Sequence, residues 1–238
     1  TKHLPSGKEF AEFLRHSIEP ARGRHIDVRL LDIGADKNPI YLHLPPEIDP
    51  FLGRRGVRVL REYPELLEAQ LRAVLEVSQE FGVGVLIPMV TVESDVTHVV
   101  SRLQKFAAEM GICKLPRIGA MIETPAALHA LDEIFELADF VALGTNDLTQ
   151  YMLAMDRDLA EGQDDCTAMH PAVLRAIKQV VEASEKHQCP VCVCGEEAGD
   201  ADFACILVGL GVRELSLSPA RAAVVAAAHH DVVAGMIG

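Results

Sequence analysis

The stretch DFVALGTNDLTQY, residues 139–151, passes from apolar residues straight into a polar knot. Phe140, Val141, Ala142 and Leu143 predict a short buried strand, and Gly144 ends it. Asn146 and Asp147 therefore fall at the carboxyl end of a strand. The same order, an apolar β-branched run, then polar or glycine residues, then apolar residues three and four apart, recurs at HIDVRLLDIG from 25, GVGVLIPMV from 82, PRIGAMIETP from 116, PVCVCGEEAG from 190 and RELSLSP from 213. Strands alternating with helices imply a parallel sheet with right-handed crossovers.

Helix starts carry their own signals. Ser6 with Glu9 forms a capping box ahead of Phe10, Phe13, Leu14 and Ile18, and Pro64, Pro125, Pro171 and Pro219 stand where a first helical residue would. One helix precedes the first strand. Two architectures satisfy this grammar, an open doubly wound sheet or a closed (β/α)8 barrel. No G-x-G-x-x-G follows any strand, which removes the dinucleotide fold's signature. A barrel brings the ends of several strands to one site, and polar residues do gather at strand ends: Arg29 and Asp32, Glu123, Asn146 and Asp147, Cys194 and Glu196. The expected fold is thus α/β, a (β/α)8 TIM barrel. Six strands do not close eight, so the expectation is one N-terminally incomplete barrel domain over residues 1–238, lacking its first two strands. EGQDDC, residues 161–166, reads as a surface loop.

Composition narrows the function. The 238 residues, 49% of them hydrophobic, are enough for a substantial core. No apolar run reaches the eighteen residues of a membrane span, and the opening TKHLPSGKEF lacks a signal peptide's apolar stretch, so a cytoplasmic setting is expected. A net charge of −13 with scattered Lys and Arg argues against nucleic acid. A small anionic ligand remains compatible, because screening over about 8 Å leaves the choice to the side chains lining a pocket. The six cysteines are too few and too unevenly spread for a disulfide scaffold, and Cys189 with Cys192 lacks the second pair that a zinc site needs.

The strand-end residues fall into groups. Glu123 and Asp147 are carboxylates at consecutive strand ends, where hard oxygens suit Mg2+ or Mn2+ and equally suit helix caps or loop ion pairs. Arg29, Arg55 and Arg157, with Lys37 nearby, would suit an anion, although each has a plainer reading. Arg29, within an apolar strand, needs an anionic partner, which Asp32 could be. Arg55 lies in the arginine-rich FLGRRGVR, and Arg157 could pair with Asp156 or Asp158. Cys192 and Cys194 share a strand face, and a thiol there is a nucleophile, a metal ligand, a proton donor or inert packing.

Together, LGTNDLTQYMLAMDRD, GAMIETPAA, RLLDIGADK, DPFLGRRGVR, MHPAVLRAIKQVVEAS and CVCGEEAGD resemble, in order, the C-terminal barrel of the enzyme I family, the phosphoenolpyruvate-protein phosphotransferases of the bacterial sugar phosphotransferase system and its nitrogen-related paralogue. The resemblance runs from LPSGKEF to ELSLSPA. It implies a phosphoenolpyruvate/pyruvate-type barrel in which Glu123 and Asp147 hold Mg2+, Arg29, Arg55, Asn146 and Arg157 contact phosphoenolpyruvate, and Cys194 protonates the departing enolate. It further implies pyruvate as product, a histidine phosphocarrier protein as partner through N-terminal domains, and a homodimer.

Departures accompany it. The family's G-L-x-R-T-E-F strand and G-G-x-x-S-H histidine segment have no counterpart here, so this chain alone is expected not to phosphorylate a carrier. Arg54 stands where the family usually has Trp, Gly84 where Arg is common, and Glu197 where Leu or Met follows C-G-E. The competing readings are a Mg2+-dependent pyruvate-enolate lyase or aldolase, and a non-catalytic dimerisation or regulatory barrel.

Overall fold

The computed structural model describes residues 3–35, 39, 41–42, 44–156 and 166–237. The chain forms two compact units, Thr1–Ala120 and Met121–Gly238.

In the first unit, α1 (Gly7–Ile18) opens with the expected capping box: Ser6 N–H donates to Glu9 Oε2 at 2.8 Å and Glu9 N–H to Ser6 Oγ at 3.3 Å. Strand β1 (His25–Arg29) pairs in parallel with β2 (Gly82–Ile87), and β2 with residues Arg117–Ala120 of β3 (Arg117–Ile122), whose last two residues belong to the second unit. Helices α2 (Val57–Glu62), α3 (Pro64–Val77) and α4 (Glu93–Met110) lie between these strands in the chain. α1 packs on α3, whose Leu66, Leu67, Leu71 and Leu75 are fully buried, and Arg15 reaches from α1 to Glu76 and Glu80, at 2.7 Å to each. β2 is buried on both faces from Val83 to Ile87, as parallel strands under crossover helices must be.

β1 is shorter than the 25–34 run suggested. It stops at Arg29 because the backbone beyond finds side-chain partners: Leu31 N–H donates 2.8 Å to Oε1 of buried Gln70, whose Nε2 donates back to Leu66 O at 3.1 Å. β1 is also half exposed, so Arg29 is an exposed strand end and not the buried charge its apolar neighbours implied.

In the second unit, β4 (Phe140–Gly144), β5 (Val191–Cys194) and β6 (Glu214–Ser216) pair in parallel and in chain order. Between and after them come α5 (Leu131–Leu137, before β4), α6 (Thr145–Leu153), α7 (Pro171–His187), α8 (Ala201–Gly209) and α9 (Pro219–Ile237). Its core joins the wholly buried β4 to Ile134, Val173, Ile177, Val180, Phe203 and Leu207.

Pro64, Pro171 and Pro219 open α3, α7 and α9 as expected. Pro125 does not open a helix. It sits in a turn leading to a 3-10 segment, Ala127–His129, with Thr124 Oγ1 accepting from Ala127 N–H at 3.3 Å, and α5 begins only at Leu131. The structure is an α/β fold of parallel strands alternating with helices. No helix among the described residues is long and apolar enough to cross a membrane.

Candidate phosphoenolpyruvate and metal site

Glu123 follows β3 directly and is 2% exposed; Asp147, in the first turn of α6, is 6% exposed. Gly144 ends β4 beside Glu123 and three residues before Asp147. A Cβ there would stand 2.7 Å from Glu123 Oε2 and 2.9 Å from Glu123 Cβ, so only glycine lets this carboxylate rest on the end of β4. Asp147 is three residues further on, where the helix N-terminus favours negative charge. Both carboxylates are buried and both follow strand ends, Glu123 after β3 and Asp147 after β4. Among the described residues no group of three or more His, Cys, Asp or Glu could hold a metal ion. By donor type, the two carboxylates Glu123 and Asp147 fit Mg2+, which takes one or two protein carboxylates and fills its other positions with substrate oxygens and water.

The other edge of β4 carries the thiol. Gly144 is in register with Cys194, the last residue of β5, and Cys194 Sγ donates to Leu143 O at 3.5 Å. Thr145 Oγ1 donates to Cys194 O at 3.3 Å, and Asn146 Oδ1 accepts Glu196 N–H at 3.0 Å. Those bonds require close backbone approach at Gly195, where φ is +147° and a Cβ would fall 2.1 Å from Thr145 Oγ1. With Oδ1 occupied, the Asn146 amide presents Nδ2 as its donor. The thiol bound to a carbonyl is the protonated form, suited to giving a proton. Glu123, Asn146, Asp147 and Cys194 are therefore gathered within the second unit.

The first unit holds a different arrangement. Asp32 pairs with Arg55: Nη2 donates to Oδ2 at 2.8 Å and Nε to Oδ1 at 3.4 Å, with the two side chains 4% and 5% exposed. A β-bridge between Gly34 and Arg55 and the Phe51 ring, 5.7 Å from the guanidinium, complete the setting. Arg54 and Arg58 beside it are exposed, as an arginine-rich run suggests, so composition alone hid the buried one. Arg157, Lys37 and most of the 161–166 loop lie outside the described residues.

Sequence reading missed Gly144, Thr145 and Gly195, whose signal was a small residue at each strand end. It also missed what Glu197 does. Its carboxylate accepts Thr167 Oγ1–H at 2.7 Å and Ala168 N–H at 3.0 and 3.1 Å.

Residues 1–232 match the family described as PEP-utilising enzyme, PEP-binding domain. The chain belongs to that family. Among similar proteins, a multiphosphoryl transfer protein of Xanthomonas campestris is 44% identical over 198 residues, 83% of this chain and 24% of the relative. A phosphoenolpyruvate-protein phosphotransferase of Haloferax volcanii is 40% identical over 222 residues, 90% of this chain and 39% of its own length. Multiphosphoryl transfer protein 2 of Escherichia coli is 36% identical over 219 residues, 90% and 26%. The chain thus spans 24% to 39% of the length of these curated relatives. Among solved structures, a citrate lyase from Burkholderia xenovorans aligns with a TM-score of 0.55 at 19% identity, covering 68% of this chain and 53% of that one, a likeness of fold.

Proposed function

We propose that this chain is the phosphoenolpyruvate- and Mg2+-binding domain, of the (β/α)8 barrel type, of a phosphoenolpyruvate-protein phosphotransferase. The single observation that carries the reading is the cluster at the end of β4, Glu123 against Gly144 with Asn146 and Asp147 in the next turn and Cys194 in register, within a family of PEP-binding domains. The relatives' names and the ordered motifs support the phosphotransferase assignment.

Glu123 and Asp147 would hold Mg2+, which when bound neutralises charge on the substrate's carboxylate and phosphate. Arg29, Arg55 and Arg157 would grip the phosphoryl oxygens, each contributing on the order of 4 kcal/mol at about 4 Å and an effective dielectric near 20, before desolvation is subtracted. Asn146 adds its Nδ2 donor to the same oxygens. The phosphorus–oxygen bond breaks as a histidine nitrogen on another domain takes the phosphoryl group. The electron pair left on the enolate then takes the Cys194 Sγ proton at its methylene carbon, giving pyruvate. A histidine phosphocarrier protein is the onward acceptor, and the enzyme works as a cytoplasmic homodimer.

Calorimetric titration of the chain with phosphoenolpyruvate and with pyruvate, each with Mg2+, tests this. Phosphoenolpyruvate should bind the more tightly; clear preference for pyruvate would favour a lyase or aldolase instead, and no binding of either to a folded chain a regulatory domain. In the full-length enzyme, C194A should spare phosphoenolpyruvate binding and depress pyruvate formation. Unchanged turnover removes Cys194 from the proton-donor role.

A further inference from the structure

We propose that Glu197 is the positioning residue for Cys194, acting through a carboxylate clamp between the β5–α8 loop and the turn that starts α7. The inference rests on the role given to Cys194 above. Besides the strand pairing at Cys194 and its thiol's bond to Leu143 O, three side-chain attachments among the described residues tie the stretch from Cys194 to Glu197 to its surroundings. Two of them, Thr145 Oγ1 to Cys194 O at 3.3 Å and Glu196 N–H to Asn146 Oδ1 at 3.0 Å, are made by residues at the proposed ligand site. A bound anion competes for the O–H and N–H donors of such bonds. The third attachment is independent of ligand: the Glu197 carboxylate, taking a hydroxyl and a backbone N–H.

Both ends of the clamp are tied into further hydrogen bonds. On the far side, Thr167 Oγ1 also accepts Met169 N–H at 3.1 Å, Thr167 O accepts His170 N–H at 3.0 Å, and His170 Nδ1 caps α7 by accepting Ala172 N–H at 3.2 Å. Ala168 is buried there. On the near side, Glu197 O accepts Asp200 N–H at 2.8 Å, and Asp200 Oδ1 caps α8 through Asp202 and Phe203 N–H, each at 3.0 Å. A carboxylate taking a hydroxyl at 2.7 Å and a backbone N–H shared between its two oxygens is among the stronger arrangements that neutral donors make. Glu197 therefore ties the loop to the starts of α7 and α8 and keeps the Cys194 thiol on Leu143 O through a contact made away from the ligand-facing groups.

Iodoacetamide alkylation of the 238-residue chain, resolved peptide by peptide by mass spectrometry, reads the position of this thiol without requiring turnover. E197A should alkylate at Cys194 about tenfold faster than wild type, the order expected when hydrogen bonds to a charged group are lost and the loop opens locally. E197Q and T167V should lie between, and Cys113 and Cys192 should keep their rates. Equal Cys194 rates in wild type and E197A overturns the proposal, as does a rise shared by Cys192, which marks general loosening. E197Q and T167V carry the test if E197A loses its cooperative melt. A wild-type chain that ignores phosphoenolpyruvate while Cys194 still reports Glu197 supports the clamp and rejects the phosphotransferase reading.

Discussion

Gly144 is where a single hydrogen atom in place of a methyl group decides whether a carboxylate can lie on a strand end. In G144A the new Cβ would meet Glu123 Oε2 at 2.7 Å and its Cβ at 2.9 Å, and neither neighbour is a loose side-chain tip, since Glu123 is 2% exposed. Overpacking of this kind costs about 1–3 kcal/mol, so urea unfolding should show a lower midpoint with an unchanged slope. Asp32 is the other residue on which much depends. D32N leaves the Arg55 guanidinium buried beside a neutral amide, and unfolding should reveal a loss of about 3–5 kcal/mol. The double variant D32L/R55M should recover most of that loss, because it removes the charge along with its partner. A D32N loss under about 1 kcal/mol would mean that the pair contributes no more than a surface bridge. Neither residue's role was legible beforehand. Gly144 read as strand punctuation, and Asp32 was offered as the partner of Arg29; only the packed positions of Glu123 against Gly144, and of Arg55 against Asp32 and Gly34, reveal the two roles.

At the scale of elements, what was legible is what short-range chemistry dictates. The apolar run 140–143 became β4, the polar pair after it became the first turn of α6, and Ser6 with Glu9 became the cap of α1. Pro125 failed as a helix start because Thr124 and the 3-10 turn after it absorb the backbone donors that a helix would need to cap. The cap of α1 also makes a pH prediction. Ser6 backbone N–H and then its hydroxyl hold the Glu9 carboxyl down, from an ordinary 4.5 to about 2. A carboxyl lowered on folding contributes stability that is present above 4.5 and is lost as pH falls through about 2. E9Q should therefore melt below wild type at pH 7, and the gap should narrow from about pH 4.5 downward and close near pH 2. Thermal midpoints measured across that range check it, and a gap independent of pH contradicts it.

For the whole molecule, the ordered motifs and the family match cover almost the same span, so the family was legible from end to end. The sequence could also nominate Glu123, Asn146, Asp147 and Cys194, because parallel strands place their carboxyl ends on one side. It could not nominate the Glu197 clamp, since a carboxylate reaching residues about thirty positions earlier leaves no local pattern. The central claim is that Glu123 and Asp147 hold a divalent cation which phosphoenolpyruvate helps to coordinate. The most direct measurement is the electron paramagnetic resonance signal of free Mn2+, titrated with wild type, E123Q and D147N, with and without phosphoenolpyruvate. The account predicts that wild type depletes free Mn2+ and does so more strongly with phosphoenolpyruvate present, while both variants leave most of it free. Undiminished Mn2+ binding in E123Q and D147N, or a wild-type affinity that phosphoenolpyruvate does not change, would contradict it.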